Sequence, residues 1–420
     1  YTLSLHDALP IFAAVALASC SNESIDSQEK RVALNEGAAL NIAPAIQGTR
    51  GTITTDANFT EFRVIASATG GDFLTTANAS TVPDLSATTP NYVSKGNSFE
   101  ETVKLDPSTG KWSIGTEGAY WWQSKSMTGN FAAYAPYNKG FTPANAYTVE
   151  TALANQKDVI VAYNTGTGSD FTSGVPLNFQ HVMSQVIIKA LNKDASTHKI
   201  EVAGIRLNGL KSTGTLTLPT SSTASGTFSW DSYTPWAVNS SAVATYNDRG
   251  TAATATQNNQ VVTLTTAATQ LTDTPFLLMP QTTGKADLSA ATVSGAYFSV
   301  LIRMTKIDGN EPVYPTWDTS VNNAPTAGSL FAYVAIPVDI AWNPGYKYTY
   351  TLNFSSTGIG KVDPTQPTDK PDDATKYPTG KASTEPGGGG GDDILDSPVQ
   401  LYFTVTVDEW TDGGNTPLDM

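Results

Sequence analysis

The chain has 420 residues, room for two or three ordinary domains, with 24 Lys and Arg against 38 Asp and Glu and a formal net charge of −14. An acidic surface of this kind repels phosphate backbones and no basic stripe interrupts it, which argues against nucleic-acid binding. Charged residues make up only 15% of the chain while Thr, Ser, Ala, Gly and Asn abound, a β-prone composition, and no apolar run approaches the ~20 residues needed to span a bilayer.

Residues 1–11 read as the translation of a sequencing adapter, so His6 carries no weight. The apolar run from Ala13 to Ser19 then closes on Cys20, the chain's only cysteine, and is followed by polar Ser21 to Asp26. Slim residues beside a cysteine, three positions after Leu17, have the layout of a lipoprotein signal. A membrane peptidase needs small side chains at the scissile bond, and the thiol of the new N-terminus carries the lipid. Residues 1–20 are expected to be the remnant of that signal and Cys20 the lipidation site; the alternative is a buried cysteine in a short hydrophobic strand. Residues 21–50 read as an exposed polar leader with one weak apolar patch, Val32 to Leu34. The leader ends at Gly48-Thr49-Arg50-Gly51, where a trypsin-like protease can reach Arg50.

From Phe59 onward, short alternating segments separated by Gly, Pro, Asn and Asp clusters mark an all-β protein. Strands are predicted over 159–163, 202–207, 213–218, 261–264 and 331–338. Three segments show strict period two, the signature of a strand with one buried face. In the first, Phe298, Val300, Ile302 and Met304 oppose Tyr297, Ser299, Leu301 and Arg303. In the second, 346–354, the aromatics and Leu352 oppose Lys347, Thr349, Thr351 and Asn353. In the third, Leu401, Phe403, Val405 and Val407 oppose Tyr402, Thr404, Thr406 and Asp408. Several short strands with turn signals between them suggest β-sandwiches.

The chemistry-bearing inventory is thin. No G-x-S-x-G, P-loop, dinucleotide fingerprint or H-E-x-x-H occurs, and one cysteine leaves neither disulfides nor a Cys-rich zinc site. His181 sits in a strand-like apolar segment and reads as a packed, hydrogen-bonded histidine. Tyr120-Trp121-Trp122 and the run Phe131 to Tyr137 either stack on sugars or, the favoured reading, fill a sandwich core. Residues 358–398, rich in Pro, Asp, Thr and Gly, cannot bury a core and read as a disordered surface loop. The carboxylates of that loop, Asp363 among them, fit no EF-hand spacing and read as a solvated acidic linker. No catalytic residue, metal ligand or cofactor is assigned.

Taken in order, several segments resemble the Bacteroidales fimbrillin family, the type V pilins and their Mfa-like relatives. They are the lipoprotein cysteine with a leader ending at Arg50, Y-W-W followed by F-A-A-Y-A-P-Y, N-F-Q-H-V-M-S-Q-V at 178–186, P-F-L-L-M-P-Q at 275–281, W-N-P-G-Y-K-Y-T-Y-T-L-N-F at 342–354 and V-T-V-D-E-W at 405–410. The resemblance implies two transthyretin-like β-sandwich domains in tandem, assigned to 51–173 and 174–420, and export as an outer-membrane lipoprotein to the cell surface. It also implies cleavage between Arg50 and Gly51 by an arginine-specific surface protease. Loss of the leader takes away a strand, and a neighbouring fimbrillin subunit fills the groove with its own strand, building a fimbria that serves adhesion to a host or bacterial surface ligand. The tail past Trp410 is polar and lacks alternation, so anything donated must include Leu401, Phe403, Val405 and Val407; otherwise the chain is a tip, cap or accessory subunit that accepts a strand without giving one. Two rivals stand beside this reading: a monomeric surface lipoprotein that binds host glycan or protein, and a glycan-processing enzyme.

Overall fold

The computed structural model describes residues 38–39, 42–46, 59–77, 81–108, 111–115, 119–136, 143, 145–169, 174–223, 228–230, 232–249, 261–314, 331–364 and 402–409. The protein is all-β: among the described residues the only helical element is a 3-10 turn at Leu153–Asn155. The first half contains β1 (Ala38–Ala39), β2 (Ile42–Ile46), β3 (Glu61–Thr69), β4 (Phe73–Thr76), β5 (Val93–Gly96), β6 (Ser98–Asp106), β7 (Lys111–Ile114), β8 (Ala119–Trp122), β9 (Thr128–Ala135), β10 (Ala146–Thr148), β11 (Ile160–Thr167) and β12 (Val175–His181). One sheet runs β1-β8-β4-β5 and a seven-stranded sheet runs β2-β12-β11-β9-β3-β6-β7.

The period-two pattern of β3 shows why these sheets face one another. Phe62, Val64, Ala66 and Ala68 fall on one side and are buried. They join Phe131, Leu177 and Phe179 of the same sheet and Phe73, Tyr120 and Trp122 of the opposing one in a single core. Burying side chains of this size stabilises by ~1.5–3 kcal/mol each. Gly129 makes room for the largest of them, because a Cβ there would come within 2.8 Å of the Trp122 ring.

The second half contains β13 (Ser184–Asn192), β14 (His198–Lys211), β15 (Thr213–Leu216), β16 (Trp236–Val238), β17 (Val243–Arg249), β18 (Val262–Thr263), β19 (Thr269–Gln270), β20 (Phe276–Leu278), β21 (Gln281–Thr283), β22 (Tyr297–Lys306), β23 (Pro312–Tyr314), β24 (Ala332–Pro337), β25 (Ile340–Trp342), β26 (Tyr346–Phe354), β27 (Lys361–Val362) and β28 (Tyr402–Glu409). One sheet orders β19-β13-β26-β28, with β20 also on β13; its partner orders β17-β14-β22-β24-β27, with β18 on β14 and β23 on β22. Between them lie Ile188 of β13, Tyr350 and Leu352 of β26, Ile205 of β14, and Val300 and Ile302 of β22.

The predicted strands are present, and β26 has the expected bounds and the expected buried face. β22 differs. It is buried on both faces, because its second face carries Tyr297 packed with Ala286, Leu288 and Ala335, and Leu301 packed with Phe331 and Tyr333. The start of the loop expected over 358–398 is instead part of the fold. Lys361 and Val362 pair with β24, and Asp363 is buried, its carboxylate accepting a hydrogen bond from Ser299. The other acidic positions of that loop lie outside the described residues.

The two halves interlock. β12 belongs to the first half's seven-stranded sheet, so the chain crosses between His181 and Ser184 rather than at 173/174. β10 of the first half pairs with β15 of the second. Gln156 Oε1 accepts from the Leu277 amide at 2.7 Å, and Trp236 Nε1 donates to the Val182 carbonyl at 2.7 Å. Tyr134, Val149 and Val161 lie in the same core as the second sandwich.

Buried tyrosines give this core a readable alkaline limit. Burial, with the charges of Asp158 and Glu150 adding to it, pushes Tyr147 up to about 12; burial likewise pushes Tyr333 and Tyr350 up to about 12. A phenol raised above its unfolded value near 10 stabilises the fold fully below pH 10, and that contribution is lost as pH rises through the folded value. Thermal melts are therefore expected to keep a constant midpoint from pH 8 to 10 and to fall between about 10 and 12, with phenolate absorbance at ~295 nm appearing in step with unfolding.

Candidate functional site

Residues 38–39 and 42–46, within the run Ala-Ala-Leu-Asn-Ile-Ala-Pro-Ala-Ile, lace the two sheets of the first sandwich together. Ala38 and Ala39 pair antiparallel with Trp122 and Trp121 on the edge of one sheet. Three residues on, Ile42 to Ile46 pair in parallel with Val175 to Phe179 on the edge of the other. The leader expected to be exposed is thus part of both ladders. A sheet edge presents a row of unpaired N–H and C=O groups, and any segment with the reach can cap it. Beneath that edge, Val175, Leu177 and Phe179 of β12 are buried in the first core.

The second region is β28. It pairs antiparallel with β26 along its whole length, from Tyr346↔Glu409 to Asn353↔Tyr402, and forms the outer edge of its sheet. Phe403 is half-buried, its ring 6.1 Å from that of Tyr350. Val405 sits opposite Tyr350, which is 2% exposed, yet Val405 itself remains 41% exposed. Its register places it on the core-facing side, so the core does not close over this strand. Val407 sits opposite Tyr348. The structure therefore brings Phe403, Val405 and Val407 into one edge strand, whereas Leu401, Cys20, Arg50 and Gly51 lie outside the described residues.

Other residues singled out in the sequence have structural roles. His181 Nδ1 lies 2.8 Å from Asp158 Oδ2, both side chains buried where the chain crosses between the halves. Tyr120, Trp121, Trp122, Phe131 and Tyr134 are all buried, so these aromatics form core and not an exposed platform for sugars. Sequence reading missed the leader strands. Their signal was the short apolar run after Gly37, weakened by Pro44 and by a pairing partner more than a hundred residues away.

The model of the fimbrillin-like family matches residues 49–365, which leaves β1, β2 and β28 outside the match. Among solved structures, a fimbrial protein from Bacteroides vulgatus ATCC 8482 is similar, with 15% identity, 89% of this chain and 100% of that chain covered, and a TM-score of 0.46. A candidate cell adhesion protein from Parabacteroides distasonis ATCC 8503 has 9% identity, coverage of 90% and 98%, and a TM-score of 0.40. Another from Bacteroides uniformis ATCC 8492 has 12% identity, coverage of 89% and 98%, and a TM-score of 0.36. No curated protein matches the chain.

The core role of the Tyr-Trp-Trp run has a direct test. Trp122 is 1% exposed and packs against Phe73 and Phe131. Trp122→Ala is expected to cost about 3–5 kcal/mol in a urea titration, as large-to-small changes at buried aromatics do; a change under ~1 kcal/mol would contradict that role.

Proposed function

The chain belongs to the fimbrillin-like family, and from that premise we propose that it is a structural subunit of a cell-surface fimbria, assembled by exchange of strands between copies and serving adhesion. The observation that carries this reading is the leader seated on β12. Cleavage between Arg50 and Gly51 severs residues 38–46 from the body and frees an edge whose underside is already an apolar core. Cys20 serves as the export address and lipid tether to the outer membrane until that cut. The occupant of the freed edge is the β28 segment of a neighbouring copy, which brings main-chain hydrogen bonds and alternating apolar side chains, the two requirements of β-augmentation.

Several features support β28 in this role. It is an edge strand, its core-side Val405 is incompletely covered, and residues 365–401 lie between it and the body. Fully extended, those residues would span on the order of 100 Å, far beyond one subunit's edge. Four apolar side chains buried at ~1.5–3 kcal/mol each would give roughly 6–12 kcal/mol before ordering costs, enough for a long-lived polymer. The rival glycan-binding lipoprotein is less well supported, because Tyr120, Trp121, Trp122, Phe131 and Tyr134 of its aromatic platform are interior, Tyr137 lying outside the described residues.

Two experiments test this. Arg50→Ala is expected to leave the chain at its unprocessed mass and abolish SDS-resistant ladders after treatment with an arginine-specific protease; ladders of undiminished intensity would sink the cleavage step. The second locks β28 in place. Thr351 and Thr404 are register partners, so Thr351→Cys with Thr404→Cys, in a Cys20→Ser background, should form a cross-strand disulfide. The oxidised protein is expected to form no ladder after cleavage and to recover on reduction. Ladders from the oxidised form would rule out β28 as the donated strand.

A further inference from the structure

We infer that Asn164 is a positioning residue that holds β12 as a competent acceptor once the leader has gone, with Ser222 of the second half bracing it; this rests on the strand-exchange reading above. The ladder between β11 and β12 is short. Although β11 extends from Ile160 to Thr167, its registered pairs with β12 are Ile160↔His181 and Val161↔Gln180 alone. On its other flank β11 pairs with β9 over its full length. Over Val175 to Phe179, then, the registered backbone partner of β12 is the leader strand. Removing the leader takes away the registered ladder partner of that stretch.

A side chain ties the stretch to β11. Asn164 projects from the middle of β11, is 2% exposed, and its Nδ2 donates to the Pro176 carbonyl at 2.8 Å. Pro176 has no N–H, so its carbonyl is the only backbone group it offers. The other end of the amide is fixed as well: Asn164 Oδ1 accepts from the Thr165 amide at 2.8 Å and from Ser222 Oγ at 3.2 Å. Both lone pairs of that oxygen are used, which sets the amide's orientation and aims Nδ2 at β12. Ser222 lies between β15 and β16, so the brace comes from the second half of the chain.

The chemistry singles out the amide. Asparagine is disfavoured inside strands, and a buried polar group persists only when its hydrogen bonds are met. Here they are met by substituting for the ladder pairs that β11 and β12 lack. The apolar anchors Val175, Leu177 and Phe179 set how deep β12 sits, while Asn164 sets its distance from β11, and hence where its free edge meets an incoming strand.

Asn164→Asp is the informative substitution, since it keeps an oxygen for Thr165 and Ser222 but replaces the donor facing Pro176 with an acceptor. Ser222→Ala removes only the brace. Two mixtures of full-length chains separate accepting from donating. In the first, the protease-cleaved variant, unable to donate because it also carries the Thr351/Thr404 disulfide in the Cys20→Ser background, is offered the Arg50→Ala chain, which keeps its leader and can only donate. In the second, the variant in the Arg50→Ala background donates to cleaved, disulfide-locked protein that is otherwise wild type. For Asn164→Asp the rate of SDS-resistant heterodimer formation is expected to drop about tenfold in the first mixture and stay unchanged in the second, with Ser222→Ala showing a smaller drop of about threefold in the first alone. Equal rates in both mixtures at the wild-type level would overturn the inference. So would equal slowing in both, which marks general destabilisation. If the pair without either substitution forms no heterodimer, strand exchange itself fails and the inference falls with it.

Discussion

Backbone hydrogen bonding at the outer edge of β12 is the constraint on which the proposed assembly turns. Between Val175 and Phe179 that strand sits over a core of Leu177, Phe179, Phe62 and Phe131, with the leader as its registered ladder partner. A buried donor or acceptor left unmade costs ~1–3 kcal/mol. The edge therefore favours any extended segment that can reach it, and selectivity must come from register and from what is tethered nearby. The leader has the advantage of being covalently attached just upstream of the body it caps. The proposed cut at Arg50 would convert that intramolecular pairing into a dissociable one, changing the competition without altering a single contact.

The second half of the chain bears on this edge more directly than its position in sequence suggests. β12 ends at His181 and β13 begins at Ser184, so the acceptor strand runs straight into the second sandwich. Near that crossing the His181–Asp158 pair braces the end of β12, while Trp236 Nε1 on the Val182 carbonyl and Gln156 on the Leu277 amide fix one half against the other. Ser222 adds a contact to the middle of β11. In the proposed polymer, a subunit joined to its neighbours through β12 in one half and β28 in the other must carry any pull across this junction. A shared apolar core with buried hydrogen bonds resists such a load better than a solvated linker would.

Strands with one buried face were readable from the sequence because period two is a local property. In β26 the alternation of Tyr348, Tyr350, Leu352 and Phe354 with Thr349, Thr351 and Asn353 gave both the bounds and the face. Features set by distant partners were not readable. Ser299 and Leu301 looked solvent-facing on β22 until Asp363, Phe331 and Tyr333 came to lie against them. Asp363 itself resembled its acidic neighbours in composition, yet it is interior because Ser299, 64 residues away, supplies a donor. The leader strands were hidden for the same reason: nothing near Ile42 in sequence announces a parallel pairing with Val175. Asn164 carried a weak signal, a polar amide in the apolar strand 159–163 and its continuation, but its meaning depends on a missing stretch of ladder that only the pairing registers reveal.

The leader and β28 are docked in different ways, and the difference fits their proposed fates. The leader's described strands touch two sheets, Ala38 and Ala39 antiparallel on β8 and Ile42 to Ile46 parallel on β12, so it cannot slide along one edge without losing its place on the other. β28 has eight residues on a single antiparallel partner, with Val405 still 41% exposed on the side that faces the core. An antiparallel edge strand with an incompletely covered apolar face can peel from one end, each step giving up one cross-strand pair. A strand anchored in two sheets must release both anchors together, which makes spontaneous loss rare. On the proposed reading, the leader is therefore the kind of cap that calls for a covalent cut, and β28 the kind of strand that exchanges once an edge that can bury it more completely becomes open.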